Sequence, residues 1–202
     1  MFAALAIQVP LMLLPMLQGP PPTRDCQLEV LTPQAMEERA FAEFAVAVDE
    51  YVRLQRRLVR SLPMPFDDED PFAGDDLRAA IVAARPNAGG GTFFTPGVAN
   101  ALRERIDWAF LHHPGAAGDP AVRGGYEPLP GEPGPVVNEA FPPVAAPARW
   151  LPLLRALPPL PRELDFALWG RDLVLVDVRA NLVLDVLADA LPAGAQLGVT
   201  FQ

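Results

Sequence analysis

Carboxylates are the side chains in this sequence best placed to do chemistry. Asp177, Asn181, Asp185 and Asp189 recur at every fourth residue. On an α-helix that spacing lines one face, with neighbours about 6 Å apart. Such a row can offer oxygen ligands to a divalent metal or divide acid–base work, which makes Asp177, Asp185 and Asp189 candidate metal ligands. Catalytic metals usually recruit His as well, or Glu from other elements. The competing reading is the polar stripe of an amphipathic C-terminal helix. A second acidic group comprises Asp67, Asp68, Glu69, Asp70, Asp75 and Asp76. It has the hard oxygen donors calcium takes, but its glycine and closing Glu lack EF-hand spacing. A solvated turn that also caps a helix accounts for it better.

Other chemistries run short of residues. His112 and His113 are the two histidines, and adjacent side chains on a helix diverge by about 100°, a poor chelating geometry. They fall at an expected helix end, where the dipole favours a cationic ring. Ser61 sits in Arg60-Ser61-Leu62, which is no nucleophile elbow. Gly89, Gly90 and Gly91 precede Thr92, but a phosphate loop of the Walker kind needs Lys, and all 16 basic residues are Arg. The same absence removes Schiff-base and pyridoxal chemistry. No spaced glycine fingerprint for dinucleotides is present, and no cofactor is expected. The one cysteine, Cys26, excludes an internal disulfide and any multi-cysteine zinc or iron–sulfur site. It follows Thr-Arg-Asp, where a lipoprotein signal would carry a small apolar tripeptide.

The background for these residues is a 202-residue chain, half hydrophobic, with a net charge of −9 and 25 prolines. The length suits one domain of ordinary size plus a leader and loops. The acidity argues against a nucleic-acid partner and against electrostatic docking on an anionic membrane. The Arg-only usage, with abundant Ala, Pro and Gly, fits codon bias better than phosphate recognition.

The elements that must position the carboxylates follow from periodicity and breakers. Residues 33–61 predict a long helix, with Thr32 as N-cap and Pro33 at its first position. Phe41, Phe44, Val48, Val52, Leu58 and Leu62 form its apolar stripe. A short helix is expected at about 75–84, stopped by Pro86, and a flexible loop from Asn87 to Gly91. Thr95-Pro96 repeats the cap-plus-proline signal and opens a third helix to about Leu111. That helix offers Val98, Leu102, Ile106, Trp108 and Phe110 for burial. Residues 114–148 are rich in Gly and Pro and predict a long surface loop. Helix returns at about 149–157. Leu164–Trp169 and Leu173–Val178 flank Gly170-Arg171-Asp172 as a β-hairpin. Residues 180–191 are expected as a terminal helix, with a strand through Leu182-Val183-Leu184 as the alternative. The fold class is therefore α+β, predominantly α-helical: a long N-terminal helix packed by shorter helices, with a C-terminal β-hairpin and terminal helix.

Residues 1–19 carry no charged side chain and have the length of a signal-peptide core rather than a full span. Residues 1–22 are assigned to this apolar leader and a spacer, 23–192 to one α-rich globular domain, and 193–202 to a tail. The prolines at 10 and 15, the missing basic start and the exit Leu17-Gln18-Gly19-Pro20 leave two modes open, a removed signal or a retained anchor. Phe94-Thr95-Pro96, the helix at 33–61 and the stretch from Glu163-Leu164 through residues 170–192 carry a resemblance. Over about residues 35–192 the chain resembles a group of uncharacterised exported bacterial proteins, which implies an exported protein but no activity or ligand. The expected function is a non-enzymatic envelope protein, periplasmic or secreted, that acts as an interaction module or accessory subunit. Its partner would be another envelope protein or a membrane complex. The alternatives are a metal-binding protein or metal-dependent hydrolase using acidic residues, and a membrane-complex subunit held by residues 1–19.

Overall fold

Two threonine–proline pairs start the main helices. The Thr32 hydroxyl accepts from the Ala35 N–H at 3.2 Å, and Pro33 needs no donor partner at the first position. Helix α1 then runs Pro33–Ser61. The computed structural model describes residues 32–62, 73–113, 128–129, 131–142 and 151–192. The expectations for the leader, Cys26, Asp67, Asp68, Glu69, Asp70 and the tail at 193–202 lie outside the described residues.

The buried face of α1 is Ala40, Phe44, Val48, Tyr51, Val52 and Gln55, stepping by threes and fours as a helical stripe does. Phe41, Leu58 and Leu62 pack partly buried at its edge. Helix α2, Ala73–Ala84, begins near its expected start. A Cβ on Gly74 would stand 2.9 Å from the Arg179 carbonyl oxygen, so glycine there lets the first turn of α2 lie directly on a later turn of the chain. Helix α3, Pro96–His112, starts with the Thr95 hydroxyl facing the Val98 N–H at 3.5 Å. Its buried side is Val98, Ala99, Ala101, Leu102, Ile106 and Ala109. Trp108, expected to be available for burial, stands 60% exposed. Helix α4 is the short Leu151–Ala156.

Strands β1 (Leu164–Trp169), β2 (Asp172–Asp177) and β3 (Leu182–Leu187) form one antiparallel sheet in that order. Trp169 pairs with Asp172 across Gly170 and Arg171. Gly170 has φ of 57°, the positive angle wanted at the first central position of a tight hairpin turn. The helix-rich α+β class therefore holds, and the hairpin falls where the sequence places it.

The expected terminal helix at 180–191 is corrected to a strand. Residues Leu182, Val183, Leu184 and Leu187 are all buried, which one face of a helix cannot achieve for adjacent positions. Leu182, Leu184 and Leu187 join the helix-side core, while Val183 joins a second cluster on the other face. Two-sided burial favours an extended run that also completes the open edge of β2. A bulge breaks the alternation: Val176 pairs with Val183, but Leu175 pairs with Asp185, so Leu184 is the extra residue. The bulge turns Asp185 to the helix side, where regular alternation would have put it on the opposite face.

Part of the Gly/Pro-rich segment does more than a surface loop. Phe141 is buried with Ala167, Trp169, Val174, Val176 and Val183, and Val137 packs against them. The Asn138 N–H donates to the Val183 carbonyl at 2.9 Å, Val183 returns a bond to Glu139 at 2.9 Å, and Phe141 bonds Asn181 at 3.1 Å. An uncovered edge strand invites pairing with other chains, and this segment occupies it. Among the described residues no helix is long and apolar enough to cross a membrane.

Candidate functional site

Asp185 sits in β3 with its side chain fully buried. Its Oδ1 accepts from the Gly91 N–H at 2.8 Å and the Val186 N–H at 2.9 Å. Its Oδ2 accepts from the Phe93 N–H at 2.7 Å and the Phe94 N–H at 2.8 Å. The glycine-rich run before α3 is thus an anion-binding nest of backbone N–H groups, and the anion it holds is the chain's own carboxylate. Gly91 has φ of 82°, a conformation glycine adopts at little cost. The expected flexible loop is pinned at its C-terminal end.

Asp177 closes β2 and is equally buried. Its Oδ2 accepts from the Tyr51 hydroxyl at 2.6 Å and the Gln55 amide at 2.8 Å. Its Oδ1 accepts from the N–H groups of Arg179 and Ala180 at 2.9 and 2.8 Å, an Asx turn that shapes the β2–β3 connection. A carboxylate has about four lone-pair sites. Asp177 and Asp185 each have all of them engaged by donors of the fold, so neither keeps one for a metal.

The two carboxylates are joined by an aromatic cluster. Tyr51 meets Phe93 edge-on at 5.9 Å. The Arg85 guanidinium lies over both rings, 5.2 Å from Tyr51 and 5.5 Å from Phe93, a cation–π arrangement. Burial pushes the Tyr51 hydroxyl well above its ordinary range, reinforced by the charge of Asp177 and the bond donated to it and opposed by Arg85. Burial pulls the Arg85 guanidinium down, opposed by Tyr51 and Asp185. A phenol held protonated as a donor cannot serve as a base. Phe44 extends the cluster, stacked on Phe94 at 6.3 Å and on Phe166 at 6.4 Å.

The row Asp177, Asp185, Asp189 does not converge. Asp189 is exposed on the turn after β3 and pairs with Arg171 at 2.9 Å. Arg171 also donates to the Leu191 carbonyl at 3.0 and 2.9 Å, latching the end of the sheet. The fourth member, Asn181, has φ of 45° in the β2–β3 turn. Asp75 pairs with Arg78 at 2.5 Å. His112 Nδ1 lies 2.8 Å from the Trp108 carbonyl and His113 Nδ1 lies 3.0 Å from that of Ala109, so both rings turn back on the end of α3. Among the described residues no group of three or more His, Cys, Asp or Glu is placed to hold a metal.

A different feature is open to a ligand. Arg105, Trp108 and Ala109 of α3 face Pro152, Arg155 and Ala156 of α4 across a cleft of about 470 Å³, with His113 at its end. Trp108 stacks on His112, ring centres 4.1 Å apart, and stands as a wall of the cleft. Arg105 pairs with Glu37 and lies 4.3 Å over the Phe41 ring. Leu111, 76% exposed, is one turn from Trp108. The spacing of Trp108 on α3 makes it available for burial, so nothing local in the sequence marks this cleft. Tyr51 and Gln55 were likewise not among the expected carboxylate partners. A Gln inside the apolar stripe of α1, one turn after a Tyr, was the signal for a buried acceptor. No family model, no curated protein and no solved structure matches the chain.

Proposed function

We propose that this chain is a non-enzymatic interaction module of the cell envelope, and that the α3–α4 cleft is where it takes its partner. The observation that carries the reading is Trp108, 60% exposed at the mouth of a 470 Å³ cleft. Large aromatic side chains left exposed beside a cavity favour contact with a ligand, because they offer much apolar area at low entropic cost. Two saturated carboxylates support the same reading, since Asp177 and Asp185, among the acids that suggested a metal-dependent hydrolase, are spent on holding the fold's own loops and helix. The envelope assignment is supported by the uncharged apolar run at 1–19 and by the resemblance to exported proteins.

Site-specific photocrosslinking in the native host tests the module. A crosslinker in place of Leu111, 76% exposed one turn from Trp108, should trap one discrete partner, and a crosslinker in place of Val46, 57% exposed on α1, should not. The same adducts from both positions, or none from 111, would remove the cleft as the docking site.

A further inference from the structure

We infer that the α3–α4 cleft is built for a carboxylate carried on an aromatic or aliphatic body. This deepens the binding-module reading and rests on it. The charge pattern is the first argument. The whole chain carries −9, yet the cleft is lined by Arg105 and Arg155 with no Asp or Glu among its described lining residues. In an acidic protein such a site is a local sink for an anion, and the surrounding negative charge disfavours anions elsewhere. The two arginines come from different helices and line the same cleft, and a guanidinium holds a carboxylate by charge-assisted bonds.

The two arginines are not equivalent. Arg105 is held in place by Glu37 and by the Phe41 ring, so its orientation is fixed and part of its charge is answered. Arg155 is exposed at the end of α4, and among the described residues it makes no ion pair. Arg105 therefore positions, and Arg155 supplies the charge that a ligand would neutralise.

The rest of the lining sets the body of the ligand. Trp108, Ala109 and Ala156 present a flat aromatic wall and small apolar side chains. They offer no side-chain hydrogen-bond donor beyond the indole N–H, so this part of the cleft suits an apolar group, and a hydroxyl placed there would lose its bonds to water without replacement. About 470 Å³ falls in the range of small-ligand sites and is too small for a folded element. An aromatic or branched aliphatic group on Trp108, with its carboxylate toward Arg155, satisfies both halves of the cleft.

Amide chemical shifts of the full-length protein, titrated with defined acids and their neutral amides, test the inference. The pairs are 4-phenylbutyrate with 4-phenylbutyramide, and acetyl-Ala-Ala-Phe with its C-terminal amide. Both acids should shift resonances of α3 and α4, and both amides should bind about tenfold more weakly, the loss of one charge-assisted contact. Arg155→Gln should weaken the acids about tenfold and leave the amides unchanged, and Arg155→Lys should restore part of the difference. Tighter binding of the peptide acid identifies a polypeptide C-terminus as the source, and tighter binding of phenylbutyrate a free small acid. Equal binding of acids and amides, shifts outside α3 and α4, or no shifts up to the solubility limit would overturn the carboxylate assignment. Crosslinking at position 111 would survive that outcome if the module reading is right. Acid binding without any crosslinked partner would leave the carboxylate site standing and sink the module.

Discussion

Asp185 and Arg155 carry opposite charges in opposite circumstances. The Asp185 carboxylate is fully buried and answered by backbone N–H groups of Gly91, Phe93, Phe94 and Val186. The Arg155 guanidinium is exposed on a short helix beside an open cleft. A sequence scan weights the acid, because acids at regular spacing look like chemistry. Folding reverses the weighting: a charge whose bonds are all made is structural, and a charge beside an exposed apolar surface can act on something else.

Breaking the buried side should produce the largest effect. Asp185→Ala leaves the N–H groups of Phe93 and Phe94 buried without an acceptor, and frees the loop that leads into α3. A loss of about 4 kcal/mol in unfolding free energy is expected, in the range for removing one partner of a buried charged network. Urea denaturation followed by circular dichroism measures it. A loss below about 1 kcal/mol would mean that water replaces the carboxylate, and the contrast with the cleft would collapse. Tyr51→Phe is gentler, because Asp177 keeps Gln55, Arg179 and Ala180 as donors. About 1–2 kcal/mol is expected in the same measurement.

The same contrast explains what was legible in the sequence. Helix α1 could be read in full, because Thr32-Pro33 and the stripe through Phe44, Val48 and Val52 are local signals. The hairpin was legible from Gly170 and its flanking apolar runs. Strand β3 was legible only as the alternative through Leu182-Val183-Leu184, because the bulge at Leu184 breaks the two-residue period while the Asp spacing matches a helix. The partners of the carboxylates were hidden for another reason. Tyr51 lies 126 positions from Asp177, and Phe93 lies 92 from Asp185. No local pattern encodes contacts at that separation. Trp108 was misjudged because its spacing on α3 fits burial, while the short helix beside it leaves that part of the face open.

Glu163 lies between the two extremes and sharpens the comparison through pH. Its carboxylate is nearly buried and bonds Arg56 at 2.9 and 2.7 Å, tying α1 to the start of β1. Burial alone would raise its pKa. The Arg56 bond, its own backbone N–H and the charges of Arg56 and Arg162 outweigh burial and hold it below the ordinary range. A depressed carboxyl contributes stability above its unfolded pKa, about 4.3 for Glu, and loses it as pH falls through the lower folded value. The stability difference between the native chain and Glu163→Gln should therefore be constant near neutrality and shrink in acid below the unfolded value. Urea midpoints across the pH series check it. A difference that grows in acid would reverse the assigned sign.

The smallest effect on stability belongs to the cleft, and it is the one that decides function. Arg155→Gln and Trp108→Ala alter exposed side chains and should each change unfolding free energy by no more than about 0.5 kcal/mol. Trp108→Ala also removes the stack on His112, so it sets the upper end of that range. Both variants should unfold cooperatively in urea with the native slope. If either destabilises the chain as Asp185→Ala does, the cleft is part of the core's support and Trp108 is exposed only on one side of a structural contact. If both are neutral while binding at the cleft is lost, stability and recognition reside in separate side chains. The fold would then be held by acids it conceals, and its partner met by an arginine and a tryptophan that folding does not need.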